Sequence, residues 1–182
     1  MLPAAVNIAA DLHVTGVRDA AEKLSETRET ALLLLLGDLT HNGTYRQLNA
    51  VRRALRRFNG NWAAVPGNHD VKQNVWKHFF SVEPPVFKWR NKVFHGLDSS
   101  TGEVPEKQVK SVQEVKPDVV FLHHVVYSET PWEGGFFRVK NREKLLRAFN
   151  EADVDLVLQG HRHIADEAWL NGTKYLTLAP KS

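Results

Sequence analysis

Leu32-Leu33-Leu34-Leu35-Leu36-Gly37-Asp38 decides how this chain is read. An unbroken apolar run closed by glycine and a polar residue reads as a buried strand. The same design recurs four times. Asn7-Ile8-Ala9-Ala10 leads into Asp11-Leu12-His13, and Trp62-Ala63-Ala64-Val65-Pro66 leads into Gly67-Asn68-His69-Asp70. Val119-Val120-Phe121-Leu122 leads into His123, and Val154 to Gln159 leads into Gly160-His161-Arg162-His163. In open α/β sheets, ligands bind beyond the carboxyl ends of the strands. This layout therefore gathers Asp11, His13, Asp38, Asn68, His123, His161 and His163 on one rim, although they span most of the sequence.

Outward from these strands, the first half alternates strand and helix. Strand 5–10 precedes a helix near 17–29, then strand 31–36. Thr44 with Gln47 makes a capping box, and Leu48, Val51, Leu55 and Phe58 recur at helical spacing over 45–58. Strand 62–65 follows, then a short helix near 71–80 with Val75 and Phe79 inward. Segment 86–97 reads as a hairpin turning at Arg90-Asn91-Lys92. A helix at 105–116 tolerates Pro105 in its first turn. Strand 118–122 ends at His123, and 127–140, with Pro131, Gly134 and Gly135, reads as a long loop. Asn141 is expected to cap a helix at 142–152. Strand 154–159 and a hairpin of 165–170 with 173–178 around Asn171-Gly172 complete the order. Early alternation with two hairpins implies an α/β (α+β) chain of mixed parallel and antiparallel sheet.

The chain of 182 residues reads as one domain over 1–182. It has no cysteine, so disulfides and thiolate metal sites are excluded. A formal charge of +3 suits anionic partners, but many ordinary soluble proteins are as basic. No leader-like basic and apolar succession opens the chain, and no run nears the ~20 apolar residues of a membrane span. The expectation is a cytoplasmic protein without membrane contact; oligomeric state is not legible.

The clustered residue types specify a chemistry. Asp11 and His13 are two apart at a strand end, as are His161 and His163, so each pair can point to one side. Seven N/O ligands exceed one tetrahedral zinc and match two ions if a carboxylate bridges. Imidazole mixed with carboxylate and amide oxygen suits manganese, iron, zinc, cobalt or nickel better than calcium or magnesium. Two divalent ions outweigh the charges of Asp11 and Asp38, leaving a site that attracts an anion. Such ions can hold a bridging hydroxide and clamp phosphate oxygens for in-line hydrolysis of a phosphate ester.

Asp11-Leu12-His13, Gly37-Asp38, Gly67-Asn68-His69-Asp70, His123 and Gly160-His161-Arg162-His163, in this order, resemble the five motifs of the calcineurin-like metallophosphoesterases. The resemblance implies a four-layer αββα sandwich of two mixed sheets. It implies one metal on Asp11, His13, Asp38 and His163, and a second on Asp38, Asn68, His123 and His161, with manganese or iron favoured. His69 would contact the phosphate and protonate the leaving oxygen, and Asp70 would orient His69. Gly67 to Phe80, Gly96-Leu97-Asp98-Ser99 and His123-His124 look most like the class III cyclic-nucleotide phosphodiesterase branch. Val125-Val126 replace the two prolines common there, and a Gly and a Trp-Leu usual around the helix at 105–116 are missing. The departures leave the metal chemistry intact and the substrate open.

Each candidate also has a plainer reading. Asp70 can cap the helix at 71–80 as well as orient His69. Either His123 or His124 can be the ligand; His123 directly follows its apolar run and is favoured, which leaves His124 to support the ligands or line the cleft. His41, His78 and His95 read as surface or structural histidines. Arg162 points away from its flanking histidines, so exposure is its default and phosphate contact the sharper alternative. Arg46, Arg52, Arg53, Arg56 and Arg57 form either a nucleic-acid footprint or a solvated helix face; the latter is favoured because no aromatics interleave. In the loop at 127–140, Trp132, Phe136, Phe137 and Arg138 either stack on a base or leaving group or pack the loop down. The expected function is hydrolysis of phosphodiesters, including cyclic or other nucleotides, by a metal-bridging hydroxide. Its rivals are a phosphomonoesterase acting on protein or nucleotide, a nuclease and a non-catalytic scaffold.

Overall fold

Successive side chains of a strand leave opposite faces, so a strand of five leucines needs apolar cover on both sides. The computed structural model, which describes residues 5–25, 30–130 and 136–180, supplies it. β2 (Leu32–Leu36) is buried along its whole length. It is the centre of a parallel three-stranded sheet, between β1 (Val6–Ala9) and β3 (Asn61–Val65). Leu33 and Leu35 meet Leu48, Val51 and Leu55 of the helical layer formed by α1 (Val17–Lys23) and α2 (Tyr45–Leu55). Leu32, Leu34 and Leu36 instead meet Phe94, Phe121 and Leu158 of a second sheet.

That sheet has six strands: β4 (Val86–Trp89), β5 (Lys92–Gly96), β6 (Val119–Phe121), β7 (Leu156–Gln159), β8 (Asp166–Leu170) and β9 (Thr173–Thr177). Their order is β4-β5-β6-β7-β9-β8, antiparallel in the two hairpins and parallel from β5 through β6 and β7 to β9. Its outer face, with Val120, Val157 and Tyr175, packs on Val112 of α3 (Glu106–Val115) and on Leu145 and Phe149 of α4 (Arg142–Glu151). Helices, sheet, sheet, helices is the expected four-layer arrangement, but only the six-stranded sheet is mixed. The smaller sheet is purely parallel.

Three local expectations change. No α-helix forms at 71–80; the segment runs in turns with a single 3-10 turn at Trp76–His78. Asn74 sits at φ 53°, which helical continuation forbids, and Trp76 is stacked on Phe80 at 4.2 Å instead. Val75 and Phe79 do pack inward. Asn141 does not cap α4 with its side chain. Its amide exchanges two hydrogen bonds with the backbone of Val104, accepting at 3.1 Å and donating at 2.7 Å, and so ties α4 to the approach to α3. α2 ends at Leu55, three residues short of Phe58, while its capping box forms as read. Of the helix near 17–29, residues 26–29 lie outside the described ones. Among the described residues, no helix is long and apolar enough to cross a membrane.

Candidate metal centre

The residues that follow β1, β2, β3, β6 and β7 converge on one rim, where loops from the two sheets bond directly to one another. His123 bridges the sheets by donating from Nδ1 to the Leu36 carbonyl at 2.9 Å. Asp11 accepts the backbone N–H of His161 through Oδ2 at 3.0 Å. Asp38 accepts the backbone N–H of His69 through Oδ1 at 2.8 Å. Each carboxylate thus spends one oxygen on holding a loop and turns the other to the rim.

The chain bends sharply to do this. Asp11, His13, Asp38, His161 and His163 all have positive φ, between 46° and 69°. This conformation costs an L residue about 1–2 kcal/mol, and such strain concentrates at functional sites. Gly67 permits the closest approach: a Cβ there would lie 2.2 Å from Asp38 Oδ1.

Two donor groups result. In the first, Asp11 Oδ1 is 3.3 Å from His163 Nε2, which is 3.3 Å from His13 Nε2. In the second, His123 Nε2 lies 3.4 Å from Asp38 Oδ2, 3.2 Å from Asn68 Oδ1 and 3.0 Å from His161 Nδ1. Within each trio, Asp11–His13–His163 and Asp38–His123–His161, the nearest donor atoms lie within 4.8 Å of one another. The field of Asp38 reaches His13 in the first group and His123 and His161 in the second. His123 Nδ1 is committed to the Leu36 carbonyl, which leaves Nε2 facing the rim. Burial would lower the imidazole, but the hydrogen bond and charge of Asp38 outweigh it and raise it, so a cation there would take the place of the Nε2 proton. A fixed tautomer with convergent acceptors is what a cation requires of its ligands. The donor set therefore fits two divalent cations.

Electrostatics agree. Burial lowers His13 and His161 to about 4, keeping both imidazoles neutral and able to ligate. Burial alone would raise Asp38, but the hydrogen bond and charge of His123 and the His69 N–H outweigh it and hold the carboxyl well below its ordinary range. Asp11 is pushed up by burial, partly offset by His123 and His163.

His69 borders both donor groups, its ring 4.8 Å from that of His13 and its Nε2 4.0 Å from Asp38 Oδ2. The partner of its ring is not Asp70. Nδ1 donates to the backbone carbonyl of His41 at 2.6 Å. Asp70 is fully buried and accepts from Leu39 N, Thr40 N, Thr40 Oγ1 and Gly67 N at 2.8–3.1 Å. With all four acceptor positions used inside the fold, Asp70 clips the loop after β2 to the loop after β3, and its influence on His69 is exerted through the backbone. Nor does it cap an α-helix, since none follows.

A cleft of about 590 Å³ opens above these atoms. Phe136 stands at its edge, 80% exposed, with its ring 6.1 Å from His161 and edge-on to Phe137 at 5.4 Å. Arg162 also borders the cleft but is buried, against the expectation of exposure. Nη1 donates to Ser128 Oγ at 2.9 Å and lies 3.9 Å from Asp166 Oδ2. It fastens the turn between His161 and His163 to Ser128, in the segment after His123, and to Asp166 at the start of β8. His124 is not among the described cleft-lining residues. It is buried behind His161, at 4.3 Å between rings, and hydrogen-bonded to Ser99 Oγ at 3.1 Å. Burial lowers it to about 3, so it is a neutral support. Arg138 is likewise not among those lining residues; its backbone bridges Val125. Trp132 lies outside the described residues.

Of the other histidines, His95 is buried and bonded to Ser111, as a structural histidine should be. His41 is the residue the sequence reading missed, for it lines the cleft. Its signal was position, three residues after Asp38 in the same loop. The α2 arginines are absent from the described cleft lining, and Arg52 packs over the Trp62 ring at 5.0 Å.

The sequence pattern of the calcineurin-like phosphoesterase family matches residues 5–165. The chain belongs to that family. Two similar proteins are each named a probable cyclic nucleotide phosphodiesterase. The one from Ruthia magnifica subsp. Calyptogena magnifica is 26% identical over 163 residues, 82% of this chain and 69% of the relative. The one from Vesicomyosocius okutanii subsp. Calyptogena okutanii is 26% identical over 160 residues, 80% and 68% of the two chains. The fold is shared with the phosphopantetheinyl hydrolase PptH of Mycobacterium tuberculosis, with a TM-score of 0.65 at 13% identity, covering 98% of this chain and 90% of that one. It is shared too with GAP50 of the Plasmodium inner membrane complex, with a TM-score of 0.61 at 14% identity, covering 96% and 70%.

Proposed function

We propose that this family member hydrolyses small phosphodiesters, nucleotides included, with two divalent cations. Asp11, His13, Asp38 and His163 would hold one ion, and Asp38, Asn68, His123 and His161 the other. The observation that carries this reading is the pair of donor groups, Asp11–His13–His163 and Asp38–His123–His161, with the His69 ring beside His13 and Asp38. When bound, a pair of such ions supplies Lewis acidity and an activated water. The mixture of imidazole, carboxylate and amide oxygen suits manganese, iron, zinc, cobalt or nickel, and the family resemblance favours manganese or iron among them.

The chain's own residues supply the rest. Asp38 and Asp11 hold the strand-end loops in register while facing the rim. His69, with Nδ1–H committed to the His41 carbonyl, can move a proton only at Nε2, which is the atom that would protonate the leaving oxygen. Phe136 and Phe137 wall the cleft on the His161 side and would lie against an apolar or aromatic leaving group. The names of the two relatives support a diester over a monoester.

The test is turnover of bis-p-nitrophenyl phosphate and p-nitrophenyl phosphate by protein reconstituted with Mn²⁺, Fe²⁺, Zn²⁺, Co²⁺ or Ni²⁺. We expect metal-dependent activity with the diester preferred. Preference for the monoester would make the chain a phosphatase, and inertness of every loaded form would leave a binding scaffold.

A further inference from the structure

The loop joining Asp38 to Gly43 brings into the cleft one imidazole that the proposed reaction leaves idle. His41 is exposed there, but its backbone is fixed at both ends. Its N–H donates to the Val14 carbonyl at 3.1 Å, and its carbonyl accepts His69 Nδ1–H at 2.6 Å. Gly43, at φ 62°, lets the same loop close on His69 and Asp70; a Cβ there would come within 2.6 Å of the His69 carbonyl. The His41 ring is therefore presented from a rigid support. It stands 6.0 Å from the His13 ring and 5.8 Å from the His69 ring, and one ring nitrogen of each lies within 4.8 Å of the other two.

Nitrogens at that spacing can all contact one atom at about 2.8 Å, a hydrogen-bond distance. A cation is the poorer occupant. This trio contains no carboxylate, and His13 already faces His163 and the Asp11 side of the proposed centre. A third positive ion would be uncompensated beside the two that the donor groups fit. An oxyanion suits the place, since His41 and His69 can both turn N–H groups toward it and charge-assisted bonds of this kind are the strong ones.

We propose that His41 is a substrate-contacting residue whose ring N–H bonds an oxygen of the same phosphoryl group that His69 faces. The proposal rests on the phosphoesterase reading above. The experiment uses the metal-reconstituted protein and its His41→Ala and His41→Gln variants. Inorganic phosphate binding is measured by calorimetry, metal content by elemental analysis and diester turnover in parallel. His41→Ala should retain both metals, because the carbonyl that holds His69 is backbone. It should weaken phosphate binding about tenfold or more, the range of a hydrogen bond to a charged group. His41→Gln, which restores an N–H donor, should recover part of that loss. Unchanged phosphate affinity in His41→Ala would overturn the proposal, and so would loss of a metal equivalent, which would make His41 a ligand. If the wild type binds metals and phosphate yet hydrolyses no ester, the functional reading fails while the binding comparison still decides the role of His41. A loaded wild type that binds no phosphate overturns both.

Discussion

Asp11 and Asp38 are held in the same way: each gives one carboxylate oxygen to the backbone N–H of a histidine on a neighbouring loop, His161 at 3.0 Å and His69 at 2.8 Å. The second oxygen of each is thereby aimed at the rim. The structural duty and the proposed ligating duty would then sit on different atoms of one side chain, so they can be separated by substitution.

Asp11→Asn and Asp38→Asn should fold, because the amide oxygen still accepts the backbone N–H. Both should lose metal affinity, because the charge facing the rim is gone. Losing even an outer partner of a metal ligand costs about 10–100-fold in affinity, and these changes should cost more. Competition with a fluorescent chelator gives the affinity, and circular dichroism the fold. Wild-type metal affinity in Asp38→Asn would remove Asp38 from the proposed centre.

His69→Ala should keep its metals and lose turnover. A positioned proton donor contributes about 10²–10⁴-fold, so kcat should fall by that factor with metal content unchanged. Leaving groups of low pKa need no proton, and the deficit should shrink for them. A variant that loses metal instead would make His69 a ligand.

Asp70→Asn should destabilise the protein although Asn is nearly isosteric. Oδ2 accepts from Leu39 N and Gly67 N, and Oδ1 accepts from Thr40 N and Oγ1. An NH₂ in either place would oppose donors with a donor, leaving buried groups unsatisfied at about 1–3 kcal/mol. Urea denaturation would show a lower midpoint at unchanged slope. An unaltered midpoint would mean that the clip holds nothing the loops do not hold by themselves.

His95 predicts a loss of stability in acid. It donates from Nε2 to Ser111 Oγ at 2.8 Å, while Ser111 donates to the Gln108 carbonyl at 2.8 Å. Burial lowers its pKa below the ordinary imidazole value of about 6.5. Above that value the ring is neutral in both folded and unfolded chains. As the pH falls through it, the unfolded chain takes up a proton that the folded one refuses, so stability declines by up to about 1.4 kcal/mol per pH unit. His95→Gln should lessen the decline, measured as the difference between urea midpoints at neutral and mildly acidic pH in metal-free protein. The rest of the chain is the same in both forms, so identical pH slopes would dismiss His95.

The amino-acid order by itself determined the strands and the ligand types that end them. Strands such as Leu32–Leu36 are legible because burial on both faces demands unbroken apolar sequence, and the residue after such a strand has one place to go. Capping at Thr44 and the turn at Asn171-Gly172 are equally local. What only the tertiary structure decided depends on which neighbours fill each site. Asp70 looks adjacent to His69 in sequence, but four donors from two loops consume its acceptors, and a carbonyl from His41 takes over the ring. Arg162 looks exposed between two inward residues, but Ser128 and Asp166 from distant segments bury it. The would-be helix at 71–80 yields to Trp76 stacking on Phe80. His41 carries no motif at all, and the packing of one loop on another puts its ring in the cleft. Periodicity records the demand for burial along the chain, whereas hydrogen-bond partners are allotted in space.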